Sequence, residues 1–146
     1  MIKAKLEQEI ALLQKQRDWL AFLLNECEQI GIKQSFSIEE FGKFETLCSR
    51  YARSIDFLIR KFYRTLDLFE FENSGTLIDV VNKAHKRGLL GDIDELRMMK
   101  DLRNTIVHEY IEEELQDIFD EVLEYSKKLL KIIDTSVEYA KRYIRE

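Results

Sequence analysis

Arg103, His108 and Tyr110 stand together in the stretch RNTIVHEY, and their types suit cleavage of a phosphodiester. A histidine titrates near neutral pH and can move a proton. An arginine can grip a phosphate with two parallel hydrogen bonds and stabilise the charge that develops on it. If a ribose 2′-hydroxyl is the nucleophile the reaction needs no metal, which makes RNA the natural substrate. Asn104 and His108 lie about one turn apart on a second, polar face of the same helix. Tyr110 also fits a plainer role, because Leu96, Met99, Ile106 and Tyr110 share one apolar helix face; a core tyrosine with its hydroxyl at the rim competes with a site tyrosine.

Arg103 and His108 are five residues apart, so a regular helix separates them by about 140° around its axis. A kink near His108, a long reach by Arg103, or a second copy of the helix across a two-fold axis would bring them to one point. The last makes a homodimer with a composite cleft, and it is the arrangement favoured. For Arg103 and His108 the plainer reading is a salt bridge and a satisfied polar histidine.

These residues need a scaffold, and the composition describes a helical one. The 146 residues are 45% hydrophobic and 35% charged, with no proline and five glycines. That balance suits one folded domain, residues 1–146, and long unbroken helices rather than turn-rich β structure. Leu6, Ile10, Leu13, Leu20, Leu24 and Cys27 predict a first helix over 2–30, with Gly31 as its stop. Ser37 with Glu40 reads as a capping box opening a second helix to about Phe71, roughly 50 Å long. A short third helix spans Thr76 to Arg87, a fourth runs from Ile93 to about Glu109 behind an Asp92/Glu95 capping pair, and the last runs from about Glu112 to Arg145. The fold class is all-α: an up-and-down bundle of four main helices plus one short helix.

In the second helix Arg50, Arg53, Arg60, Lys61 and Arg64 recur on one face, a stripe that could follow an RNA backbone. Such a stripe is also an ordinary solvated face pairing with acidic neighbours. The net charge of −5 weighs mildly against a large nucleic-acid footprint. Cys27 and Cys48 form no zinc pattern and suit free thiols in a reducing cytoplasm. The opening MIKAKLEQEIALLQKQ lacks the apolar core of a signal peptide, and no segment is long enough to span a membrane, so a cytoplasmic location is expected. The Glu-x-x-His pairs of di-iron bundles and the glycine loops of nucleotide-binding folds are both absent, so no metal and no cofactor is expected.

Arg103-x4-His108-x-Tyr110 at a helix end, in an all-helical chain of this size, resembles the HEPN family. More narrowly it resembles the HepT-like toxins of HEPN/minimal-nucleotidyltransferase toxin–antitoxin modules. Leu102 to Tyr110 carries the motif and the helical layout agrees loosely over nearly the whole chain. The resemblance implies a metal-independent endoribonuclease toxin of a type VII system, acting as a homodimer with Arg103 and His108 of both subunits in one cleft. It implies a cognate nucleotidyltransferase antitoxin, a separate protein, that neutralises the toxin by adenylylating Tyr110. The alternative is a non-catalytic HEPN-like binding partner, the substrate-binding subunit of a small nucleotidyltransferase. A structural helical dimer without a site is a third reading.

Overall fold

The computed structural model describes residues 2–70, 75–108 and 112–145, and it is an all-α bundle. Helix α1 spans Ile2–Ile30, and every apolar position that predicted it is buried. It ends at Gly31, whose φ of 76° only glycine adopts without strain and whose N–H donates to Cys27 O at 3.0 Å. Ser37 and Glu40 form the reciprocal capping box, with Glu40 N–H donating to Ser37 Oγ and Ser37 N–H to Glu40 Oε1. Helix α2 follows over Ile38–Asp56. Ser37→Ala is expected to cost about 1 kcal/mol, lowering the thermal midpoint by roughly 2–4 °C in a circular-dichroism melt. An unchanged midpoint would show that the cap contributes nothing.

The predicted long second helix departs from regularity in its middle. After α2 come π-helical turns over Phe57–Phe62, then α3 over Tyr63–Phe69. Tyr63 N–H donates to Leu58 O, the i→i+5 bond of a π turn. The buried set Ile55, Leu58, Ile59, Phe62, Tyr63 and Leu66 stays on the core through this change. A π turn holds more residues than an α turn, so the outward positions after it are rotated relative to those before it.

Helix α4 spans Leu77–Lys86 and opens on a second capping box, Thr76 with Asp79. It closes on a Schellman turn: Gly88 takes a φ of 79°, Gly88 N–H donates to His85 O, and Leu89 N–H donates to Ala84 O. Helix α5 spans Ile93–His108. Asp92 caps it by accepting from Asp94 N–H at 2.9 Å, but Glu95 does not reach back; it pairs with Lys128 of the last long helix at 3.2 Å.

The expected single last helix is two. Helix α6 covers Glu112–Asp117 and α7 covers Phe119–Ala140, separated at Ile118 with φ −104° and ψ 4°. The break lets Phe119 enter an aromatic cluster, stacked on Phe44 at 4.5 Å between centroids and tilted against Phe41 at 5.2 Å. A 3-10 turn, Lys141–Tyr143, tightens the end of α7.

Helix α1 packs between α2 and α7, α5 lies along α2, and α4 sits on α3, around one continuous apolar core. Cys27 and Cys48 are free and buried, and burial pushes their thiols up to about 11 and about 12. No helix among the described residues is long and apolar enough to cross a membrane.

Candidate functional site

Helix α5 presents the motif because its inner face is pinned to the bundle. Leu96, Met99, Leu102 and Ile106 are buried, and the buried Tyr51 hydroxyl of α2 donates to Met99 O at 2.9 Å. This fixes the rotation of α5 about its axis and so decides where its polar residues point.

Arg103 is half-buried at the contact with α2. Its Nη2 donates to Asp56 Oδ2 at 2.7 Å and its Nη1 to Asn104 Oδ1 at 3.1 Å. Its Nε is buried with no hydrogen-bond partner. A guanidinium held in this way keeps the second N–H of each Nη for an incoming oxyanion, while the buried Nε lies out of its reach. Asp56 is thus a positioning residue for Arg103. Sequence reading had no route to this pair, whose members are far apart in the chain; an acid four residues before Arg60 was its only local signal.

His108 ends α5 and is exposed, and no described residue hydrogen-bonds its ring. Within one chain the regular helix therefore keeps Arg103 facing α2 while His108 faces solvent, as the 140° phase requires. Tyr110 lies outside the described residues.

Two depressions flank Asp56. A groove of about 680 Å³ runs along α2, where Thr46, Ser49, Arg53 and Asp56 face Ile106 and Val107 of α5 and Leu115 of α6. On the other side of Asp56 a recess of about 20 Å³ is lined by Arg60, Lys100, Arg103 and Asn104, over Ile55 and Ile59. Among the described residues, no group of three His, Cys, Asp or Glu is placed to hold a metal ion.

The basic stripe is divided. Arg50 turns to α1, where it donates to Gln16 Oε1 at 2.9 Å and its guanidinium lies over the Trp19 ring at 4.4 Å; desolvation lowers its pKa. Arg64 donates to Gly75 O at 3.1 Å. Lys61 is exposed, 6.0 Å from the Phe57 ring. Arg50 and Arg53 both border the groove, and Arg60, beyond the start of the π turns, borders the recess. Arg50 and Arg53 thus meet one depression and Arg60 another, with the π turns between them.

No family model, no curated protein and no solved structure matches the chain. The class of protein that fold and site define is therefore an all-α bundle carrying an arginine, held by a carboxylate, near a histidine-bearing helix end.

Proposed function

We propose that this protein is a metal-independent endoribonuclease of the HEPN family, a HepT-like toxin. The observation that carries the reading is the Arg103 guanidinium, oriented by Asp56 beside a small recess, on the same helix that ends in the exposed His108. In this reading His108 takes the proton of a ribose 2′-hydroxyl, whose oxygen attacks the adjacent phosphorus. Arg103 stabilises the extra negative charge on the phosphate oxygens, and the 5′-oxygen leaves as a hydroxyl with a proton taken from solvent water. The products are a 2′,3′-cyclic phosphate and a 5′-hydroxyl. Because one chain turns Arg103 and His108 apart, the working cleft is built by two chains, with the arginine of one facing the histidine of the other. Tyr110, close to His108 in the chain, is the proposed AMP acceptor for a cognate nucleotidyltransferase antitoxin.

The test is purified protein with single-stranded RNA in excess EDTA. Fragments ending in 2′,3′-cyclic phosphate and 5′-hydroxyl are expected, and RNA that stays intact overturns the activity. The separation of Arg103 from His108 within one chain also favours a second reading, a non-catalytic binding partner of a small nucleotidyltransferase. Intact RNA together with a stable complex with such an enzyme would support it.

A further inference from the structure

The recess beside Asp56 gathers more positive charge than Arg103 alone requires. Arg60 of the π turns and Lys100 of α5 line it together with Arg103 and Asn104. Asp56 is the acid among these lining residues. Its Oδ2 is taken by Arg103 at 2.7 Å, and its Oδ1 lies 3.7 Å from Arg60 Nε. Three cations against one carboxylate leave the recess with a net charge of plus two. Lys100 is half-buried, and no described residue pairs with its ammonium. A half-buried lysine without an acid partner keeps its ammonium available to an incoming anion.

We propose that Arg60 and Lys100 form a second phosphate subsite, which takes the RNA phosphate adjoining the one that Arg103 grips. This rests on the RNA-cleaving reading. The recess has room for about one water-sized oxygen and not for a whole phosphate. The phosphate therefore docks at its mouth, with one non-bridging oxygen inserted between the Arg60 guanidinium and the Lys100 ammonium. Asp56 lies between the two guanidiniums, 2.7 Å from Arg103 and 3.7 Å from Arg60. Lys100 sits three residues before Arg103, about one turn along the same helix, so the two heads meet neighbouring points of one strand. The subsite strengthens binding of the strand and leaves the proton transfers alone.

The experiment measures fluorescence anisotropy with a single-stranded 2′-O-methyl RNA, which binds but lacks the attacking hydroxyl. Wild type, Lys100→Ala, Arg60→Ala and the double variant are compared over a range of salt. Losing the neutralisation of one phosphate of a single strand lowers the slope of log affinity against log salt by about 0.7, or affinity about fivefold near 0.1 M salt. Because the two cations share one phosphate, the double variant is expected to show that full reduction and each single variant a part of it. Lys127→Ala, whose ammonium pairs with Glu28 at 2.8 Å on another face, is expected to bind as wild type does. Wild-type affinity and slope in Lys100→Ala and Arg60→Ala would overturn the subsite, as would failure of the wild type to bind this RNA at all. The two readings fail separately. Unmodified RNA left intact by a wild type that binds the analogue through Lys100 sinks the nuclease and keeps the subsite. Cleavage with unchanged variant binding does the reverse.

Discussion

His108→Ala is expected to lower metal-free RNA cleavage by about a thousandfold, the scale on which a positioned general acid or base contributes. The variant keeps the fold, because His108 is exposed at the end of α5 and no described residue depends on its ring. A gel assay with labelled RNA reads the rate, and a thermal melt confirms that the midpoint has not moved. Cleavage within tenfold of wild type would remove His108 from the chemistry. The same pair of measurements separates chemistry from scaffolding at Arg103, where the outcome is mixed: Arg103→Ala removes the phosphate grip and also strands Asp56, so activity and stability fall together.

Mixing the two variants tests whether the cleft belongs to one chain or two. In a dimer of one Arg103→Ala chain with one His108→Ala chain, one composite cleft keeps an intact arginine and an intact histidine. Recovered cleavage in the mixture is expected from the two-chain arrangement. A mixture as inactive as its parts would return both residues to a single chain and require α5 to bend, which its regular backbone over Ile93–His108 does not do.

The elements were legible in the sequence wherever a local pattern determines them. The spacing of Leu6, Ile10, Leu13, Leu20, Leu24 and Cys27 marked α1 to the residue, and Ser37 with Glu40 marked the start of α2. Irregularities set by tertiary packing were not legible. The π turns keep an apolar run on the core while shifting what faces outward, and the break at Ile118 serves Phe119, whose partner Phe44 lies far away in the chain. The same division holds at the site. The helical phase of Arg103 against His108 was readable from the numbering alone. That Asp56 holds Arg103, that Lys100 joins it, and that Arg50 is turned aside onto Trp19 depend on which helix faces which. A charged stripe drawn on a helical wheel assumes one constant period, and the π turns are where that assumption fails.

The largest effect on stability is expected far from this site, at the junction of α3, α4 and the chain's last turns. Asp67 of α3 is fully buried, and Arg87, just past α4, places Nη1 2.8 Å from its Oδ1. Burial pushes the Asp67 carboxyl above its ordinary range, with Arg87 opposing the shift. Arg87 also donates through Nε to Glu70 Oε1, while the hydroxyls of Tyr139 and Tyr143 donate to Glu70 Oε2. The burial of Glu70 opposes its charge, but these hydrogen bonds outweigh it and hold its carboxyl below the usual range. The arrangement is asymmetric. Glu70 keeps two tyrosine donors if Arg87 is replaced, whereas Asp67, neither of whose oxygens has a well-aligned hydrogen bond among the described residues, keeps only the weaker pull of the Lys83 charge. Arg87→Met therefore strands a buried acid, at a cost of about 3–5 kcal/mol, which lowers the thermal midpoint by roughly 10 °C or more. Asp67→Asn removes the buried charge, leaves Arg87 on Glu70, and is expected to cost far less. Adding it to Arg87→Met should recover most of the stability that the single arginine variant forfeits, since the penalty is the unpaired charge and not the absent guanidinium. A double variant as unstable as Arg87→Met would show instead that Arg87 acts through Glu70 and the packing of its own stem.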